Sequence, residues 1–174
     1  DGFGQRRAAA VAVVLLAAGV MAIYGQTIRF PFVNYDDDVY VTGSPHVRMP
    51  FTFETLRWAF TTGHFANWHP LTWISHMLDA RLFGLHAGGH HAVNALFHLA
   101  NTLMVFALLR KMVRAPAPGA VWWCAAGAAL FAVHPLRVES VAWISERKDV
   151  LSAFFGLAAL LAHVGHARRP ALWR

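Results

Sequence analysis

Three consecutive aspartates, Asp36, Asp37 and Asp38, are the first residues in this sequence whose types and spacing could carry out chemistry. Their carboxylates repel one another, so at least one of them requires a cation, a hydrogen-bond donor or a proton. A carboxylate held in this way can act as a general base or as a ligand for a divalent cation. Aspartate-rich segments also favour solvated turns, so a turn without catalytic function is the alternative.

A second candidate set lies in the polar segment 134–149, which separates two apolar stretches near the end of the sequence. Arg147 and Lys148 would suit the phosphate or pyrophosphate of a lipid-linked substrate, because arginine offers a bidentate fork and lysine a point charge. The alternative is that these cations anchor the chain at the headgroup level of a membrane and form local ion pairs.

A third set is a polar stripe within an apolar stretch, formed by His91, Asn94, His98 and Asn101. Their spacings of 3, 4 and 3 residues place all four on one face of a helix. Lipid would leave these groups without hydrogen bonds, so the face must point into a helix bundle or a cavity. Hydrogen bonding between helices explains such a stripe more simply than ligand binding does.

Metal binding is not favoured by the spacing of the candidate ligands. The sequence contains 11 histidines, but the six between residues 64 and 91 show neither an HExxH motif nor another tight zinc spacing: His64, His69, His76, His86, His90 and His91. The single cysteine, Cys124, excludes an internal disulfide, and it lies in an apolar run where a buried, inert thiol is expected.

Four apolar stretches must position these residues, and none of the four contains Asp, Glu, Lys or Arg: 8–24, 92–109, 120–133 and 150–164. Hydrophobic residues make up 57% of the sequence and charged residues only 14%, a composition outside the range of ordinary soluble domains. Because a bilayer core of about 30 Å needs roughly 20 helical residues, we predict spans over about 8–28, 90–110, 118–135 and 149–166. The predicted fold is therefore an all-α, polytopic membrane helix bundle.

Charge is sorted along the chain in a way that predicts the orientation of these spans. The N-terminus, the loop 110–119 and the C-terminus together hold 8 of the 15 basic residues and one acid, whereas the other segments hold 7 basic residues and 8 acids. By the positive-inside rule, both ends are cytoplasmic, and the loops 29–89 and 136–148 face outward. Such sorting argues against nucleic acid as a partner. A cleaved signal peptide is the alternative for the first span, but no A-x-A-like site follows it.

The long outer loop is predicted to contain two short helices, at 52–61 and 71–83. In the second, Leu71, Ile74, Leu78 and Leu82 recur at spacings of 3, 4 and 4 residues, which is the period of an amphipathic helix. An amphipathic helix flanked by tryptophan suits the membrane interface.

Several strings, taken in order, resemble the N-terminal membrane part of the transmembrane O-mannosyltransferases that carry tetratricopeptide repeats, especially their bacterial relatives. The strings are FVNYDD at 32–37, HPLT at 69–72, HHAVN at 90–94 with Phe97 and His98, FAVHP at 131–135 and ERKDVLS at 146–152. The resemblance covers about residues 25–160. It implies a GT-C glycosyltransferase of the bacterial inner membrane, and it implies that residues 1–174 are an N-terminal fragment of that enzyme's membrane domain.

The resemblance also implies roles for individual residues. Asp36 and Asp37 fall on the family's acidic pair, one of them being the general base, and Arg147 falls on its basic position before the fourth span. Other positions are expected to support the site or the donor phosphate: Lys148, Arg137, His69, His91, Asn94, His98, His134 and Glu139. The family often has arginine where this chain has His69, and Asp38 is an additional acid without a counterpart.

The sequence-based hypothesis is therefore transfer of mannose or another hexose from a polyprenyl-phosphate donor to a hydroxyl group, such as that of Ser or Thr in a secreted protein. Membrane lipid is the other expected partner. The hypothesis requires no cofactor, but it leaves open whether the aspartate cluster binds a divalent cation. The competing hypothesis is a non-catalytic membrane scaffold or transport-type protein, with histidines that bind a metal or only connect the helices.

Overall fold

The computed structural model describes residues 2–113, 117 and 119–167, and these residues form helices and loops without any strand. The α-helices are α1 (Gly2–Tyr24), α2 (Pro45–Arg48), α3 (Phe53–Thr61), α4 (Pro70–Phe83), α5 (Ala87–Met112), α6 (Ala120–Val133), α7 (Arg137–Ala142) and α8 (Arg147–Ala167). Short 3-10 segments (Gly25–Arg29, His64–Ala66 and Ile144–Glu146) and one π-helical turn (Asp38–Thr42) connect them. The all-α prediction is confirmed.

Three helical segments in the described part of the chain are long and apolar enough to cross a membrane: Gly2–Arg29, Ala87–Met112 and Ile144–Ala167. They correspond to the first, second and fourth predicted spans. The third, predicted over 118–135, contains α6, a helix of 14 residues that rises only about 21 Å at 1.5 Å per residue. Residue 118 lies outside the described residues, as do Arg114, Arg168, Arg169 and Arg174 of the predicted cytoplasmic segments.

The long helix α5 is at the centre of the bundle and packs against α1, α6 and α8. Near one end, Leu16, Phe106 and Cys124 lie in a shared buried cluster, so the lone cysteine is buried as predicted. Further along, Val20, Ala95 and Val150 join α1, α5 and α8 in a second cluster. These apolar contacts fix the helices that carry the polar stripe.

Residues 25–86, which we call the cap, lie at one end of the bundle and have a core of their own. Its buried members are Tyr40, Val41, Val47, Ala59, Trp73 and Met77, and Ile144 from the segment before α8 completes the cluster. Helix α3 begins with a capping box, in which Thr52 and Thr55 exchange side-chain and backbone hydrogen bonds. The two predicted helices of the loop are present as α3 and α4.

Helix α4 turns three of the four residues of its apolar stripe away from the protein, and the fourth, Ile74, is half-buried against the core of the cap. Leu71, Leu78 and Leu82 are exposed, whereas Trp73, His76 and Asp79 are buried. A helix that points leucines outward and polar side chains inward suits the headgroup and acyl-chain boundary of a membrane. The apolar periodicity therefore marks the outer face of α4 rather than its contact with the bundle.

The first turn of α5 approaches the segment after α1 so closely that only glycine fits there. A Cβ atom added to Gly88 would overlap the backbone carbonyl oxygen of Ile28. Because that oxygen belongs to the main chain, it cannot move aside as a flexible side chain would. Gly88 thus allows the cap to join the bundle.

We expect Gly88→Ala to lower the thermal stability of the full-length protein in detergent, because the new methyl group must displace backbone. Gly156→Ala in α8 is the matched control, since a Cβ atom there meets nothing within 4 Å and alanine favours helix by about 1 kcal/mol. Fluorescence-detected thermal unfolding measures both. Equal midpoints for Gly88→Ala and the wild type would contradict the close approach.

Candidate functional site

Asp37 is fully buried, and its carboxylate is occupied by three hydrogen bonds. Oδ1 accepts from the backbone N–H of Ser145 at 3.0 Å and from the Ser145 hydroxyl at 2.5 Å, and Oδ2 accepts from the N–H of Val33 at 2.8 Å. Hydrogen bonds to an ionised carboxylate stabilise the charged form. Asp37 therefore fastens the loop after α1 to the segment before α8.

The neighbouring aspartates have different environments. Asp36 is half-buried, and within residues 2–113, 117 and 119–167 no hydrogen bond to its carboxylate is found. Asp38 is exposed, and in the part of the chain that the structure describes its carboxylate accepts only from the N–H of Val39, at 2.9 Å. The fixed neighbour Asp37 holds Asp36 in place while leaving its oxygens available, which favours Asp36 as the reacting carboxylate.

The three aspartates are not part of any group of three metal-ligand side chains among the described residues. Their carboxylate oxygens do not come together as a group of three; the one such group found there is elsewhere, at His76, Asp79 and His90. The inward hydrogen bonds of Asp37 also occupy lone pairs that a cation would need. A divalent cation held at this cluster by fewer protein ligands, as the sequence left open, stays a prediction.

Arg147 is the next predicted site residue. Its side chain is fully buried, and its guanidinium donates from Nε to Asn94 Oδ1 at 2.6 Å, from one terminal nitrogen to Ser75 and Asp79, and from the other to the His90 carbonyl at 2.8 Å. These contacts use four of the five N–H groups of the guanidinium. Arg147 joins α8 to α4 and α5 through these contacts, which leave one N–H group for any other ligand, and its phosphate-binding role stays a prediction.

Lys148 remains at the surface of the same end of the bundle. It is half-buried and pairs with Glu146, with Nζ 2.5 Å from Oε1, as the alternative of local ion pairing expected. Lys148 also lines an open cleft of about 590 Å³ between α4 and α8, together with Trp68, His69, Leu71 and Phe155. An ammonium group beside an aromatic and aliphatic wall fits a ligand that has a phosphate and an apolar chain.

Tyr40 connects the acid Asp36 with this cleft. Its ring stacks on Trp73 with 5.0 Å between centroids, and its hydroxyl accepts a hydrogen bond from Asn67 at 3.1 Å. Burial raises the pKa of Tyr40, the charge of Lys148 lowers that pKa, and the charge of Asp36 raises it again. The Tyr40 N–H donates to the Asp36 carbonyl at 2.9 Å, and the Tyr40 ring lies 5.5 Å from the ring of His69, which lines the cleft.

His69 is a neutral member of the cleft. Burial and then the charge of Lys148 lower its pKa to about 4, so the ring is uncharged near neutral pH. An uncharged imidazole can donate or accept one hydrogen bond but does not neutralise a phosphate.

The polar stripe on α5 points into the bundle, as predicted. Asn94 donates to the Trp143 carbonyl at 3.0 Å, Asn101 to the Val150 carbonyl at 2.9 Å, and the His98 ring lies 3.0 Å from the Ala132 carbonyl oxygen. His91 lies 3.4 Å from the Pro31 carbonyl oxygen. These contacts favour the simpler account, in which the stripe connects helices.

The remaining predicted residues lie apart from the buried arginine, around α7. The Arg137 guanidinium is 4.7 Å from the centroid of Phe131, and Nδ1 of His134 accepts from the Leu136 N–H at 3.3 Å. Glu139 is exposed on α7. Their supporting roles stay predictions.

Two residues that contact predicted site residues were not identified from the sequence: Asp79, which pairs with Arg147, and Ser145, which donates to Asp37. Asp79 carries a signal, because it is the one acid in the segment 71–83 and follows His76 by three residues, which is one helical turn. Ser145 has no comparable signal, since nothing in its neighbourhood shows that Asp37 lies 108 residues earlier in the chain.

Comparison with known proteins confirms the resemblance. The chain is 34% identical over 164 residues to protein O-mannosyl-transferase TMTC1 of Mus musculus, covering 87% of this chain and 16% of the relative. It is 32% identical over 168 residues to the Homo sapiens TMTC1 and 29% over 162 residues to the Mus musculus TMTC2, in each case over 90% of this chain. The chain spans less than a fifth of these relatives, at 16%, 18% and 19% of their lengths.

Neither of the other two comparisons gives a match. No family model matches the chain, and no solved structure matches it. The similarity to TMTC1, together with three helices of membrane-spanning length, identifies an integral membrane protein.

We predict that Asp37→Asn destabilises the full-length protein while Asp38→Asn does not. The asparagine would present an amide N–H₂ to groups that themselves donate, leaving at least one buried donor unsatisfied at a cost of about 1 to 3 kcal/mol. Chemical denaturation in detergent measures the difference. An Asp37→Asn variant as stable as the Asp38→Asn control would show that the Ser145 contact does not hold the loop.

Proposed function

Because the chain is related over most of its length to the protein O-mannosyl-transferases, we propose that it takes part in glycosyl transfer to protein on the outer face of a membrane. The donor is a polyprenyl-phosphate sugar carrying mannose or another hexose, and the acceptor is a Ser or Thr hydroxyl of a secreted protein. One observation carries the proposal: Tyr40 links Asp36, through a backbone hydrogen bond of 2.9 Å, to His69 of the apolar cleft that Lys148 also lines, with 5.5 Å between the two ring centroids.

In this proposal Asp36 is the general base. Its carboxylate takes the proton of the acceptor hydroxyl while the hydroxyl oxygen forms a bond to the anomeric carbon. The bond between that carbon and the phosphate oxygen breaks, and polyprenyl phosphate leaves. Proton transfer by a positioned side chain contributes typically about 10² to 10⁴ in rate.

Lys148 and the cleft would hold the donor. The ammonium group offers three N–H donors, of which Glu146 takes one, and the charge on the phosphate grows as the sugar departs. The cleft walls formed by Trp68, Leu71 and Phe155 supply apolar area for the first isoprene units. His69, being neutral, is suited to a hydrogen bond with the sugar or the phosphate. Arg137 is the other cation proposed for the donor phosphate.

Orientation forms part of the proposal, because the donor and the acceptor must meet on the side of the membrane that the cap faces. The cap carries Asp36 and Lys148 lies beside it, whereas Arg110 and Lys111 lie at the opposite end of α5. The positive-inside rule then places the cap outside and the other end of α5 in the cytoplasm.

We predict that Asp36→Asn lowers transfer by at least about a hundredfold, because asparagine keeps the size of the side chain but cannot accept the proton. Donor affinity and thermal stability should stay close to those of the wild type. The matched control is Asp38→Asn, which should keep nearly full turnover. The assay uses the full-length protein, a defined polyprenyl-phosphate mannose and a Ser/Thr peptide. Unchanged turnover in Asp36→Asn would remove the catalytic assignment and favour the scaffold hypothesis.

The orientation is tested separately by labelling single cysteines in intact cells, in a Cys124→Ala background. A cysteine at Asp38 should react with an impermeant maleimide, and one at Lys111 should react only after the membrane is permeabilised. The reverse pattern would overturn the proposed side of the reaction.

A further inference from the structure

Three buried side chains meet where α4 packs against the beginning of α5. His76, Asp79 and His90 each offer one ligand atom, and these atoms lie within 4.8 Å of one another. His76 and Asp79 are three residues apart and therefore share one face of α4. His90 comes from the first turn of α5. The exposed fraction of each of the three residues is 3% or less.

The nitrogen atoms of this cluster lack the partners that buried polar atoms require. Neither ring nitrogen of His76 has a hydrogen-bond partner among the described residues, and Nδ1 of His90 has none either. A buried polar group without a hydrogen bond costs about 1 to 3 kcal/mol. Three such atoms in one place indicate that the cluster binds something.

The tautomer of His90 identifies what kind of group would be bound. Its Nε2 is 3.0 Å from the Gly84 carbonyl oxygen, which can only accept, so Nε2 carries the proton. In the neutral ring, Nδ1 then has a lone pair, and it lies 3.5 Å from the carboxylate oxygen Oδ2 of Asp79. Two acceptors that face each other require a cation or a proton between them. A histidine that donates one N–H to a backbone carbonyl while its other nitrogen points inward also has the orientation typical of metal-ligating histidine.

The surrounding charge is compatible with a divalent ion. Arg147 pairs with Oδ2 of Asp79, which partly offsets the carboxylate. Asp37 is a second buried carboxylate, and it is close enough to His90 to act on it electrostatically. Together the two carboxylates balance the arginine and one of the two charges of the ion.

We infer that His76, Asp79 and His90 form a binding site for a divalent transition metal, Zn²⁺ in the first instance. Two imidazoles and a carboxylate are a donor set that Zn²⁺ accepts, with a fourth position left for another ligand. The ion would cross-link α4 to α5 and so fasten the cap to the bundle. This role is structural and separate from the glycosyl transfer proposed above.

The test measures zinc in the full-length protein, purified in detergent without a chelator and without a polyhistidine tag. The wild type should retain about one Zn²⁺ per chain. In His76→Gln and His90→Gln the bound zinc should fall at least about tenfold. The matched control is His91→Gln, which changes the adjacent and equally buried histidine of α5 and should retain the zinc.

Two further readouts guard against variants that fail to fold. Added Zn²⁺ should raise the thermal midpoint of the chelator-treated wild type and leave that of His76→Gln unchanged, because a ligand stabilises only the state that binds it. Co²⁺ added to the chelator-treated wild type should give visible d–d absorption, which Zn²⁺ then abolishes. Absence of both zinc and the Co²⁺ spectrum in the wild type would overturn the proposal and leave a proton on His90 as the bridging charge. Equal zinc content in the wild type, His76→Gln and His90→Gln would overturn it as well.

Discussion

Arg147 is the first residue of α8, and its guanidinium donates hydrogen bonds to α4 and α5 from a position that solvent does not reach. Moving such a charge out of water is costly, and removing one partner from a buried pair typically costs about 3 to 5 kcal/mol. Asp79 supplies the opposite charge, and Asn94, Ser75 and the His90 carbonyl satisfy the other N–H groups. The three helices are therefore held in one mutual arrangement, because any other arrangement would leave the arginine unpaired.

The same contacts fix the candidate catalytic loop. Asn94 accepts from Arg147 and donates to the Trp143 carbonyl, so it holds both ends of the segment between α7 and α8. Ser145, within that segment, donates its backbone N–H and its hydroxyl to Asp37. Asp36 precedes Asp37 in the chain, and its backbone carbonyl accepts a hydrogen bond at 2.9 Å from Tyr40, whose ring lies 5.5 Å from that of His69 in the cleft. A buried network thus leads to Asp36, whose carboxylate accepts no hydrogen bond among the described residues.

Much of the fold could be predicted from the sequence, because few backbone structures can cross a lipid bilayer. The spacing of His91, Asn94, His98 and Asn101 predicts an inward face, and all four are buried. Hydropathy predicts the long spans, and the leucines of the apolar stripe of α4 face away from the bundle, which agrees with the predicted interfacial helix. Periodicity indicates that a helix has two faces but does not indicate whether protein or lipid covers the apolar one.

The candidate site was less predictable, because its decisive contacts join residues far apart in the chain. From the sequence alone, an arginine next to a span is interpreted as a phosphate ligand or an interfacial anchor. Only the position of Asp79, 68 residues earlier in the chain, shows that Arg147 belongs to a buried ion pair. Likewise the three aspartates look equivalent in sequence. They differ because Ser145 donates hydrogen bonds to the carboxylate of Asp37. No local sequence pattern indicates this contact.

The central claim is that Arg147 and Asp79 form one interdependent pair on which the cap and the bundle both depend. A double-mutant cycle with Arg147→Met and Asp79→Leu, followed by denaturant unfolding of the full-length protein in detergent, tests it most directly. Each single variant should lose about 3 to 5 kcal/mol. The double variant should lose clearly less than the sum of the two, with a coupling free energy of at least about 1 kcal/mol, because neither charge is then left unpaired. Additive losses, or single variants as stable as the wild type, would contradict the account.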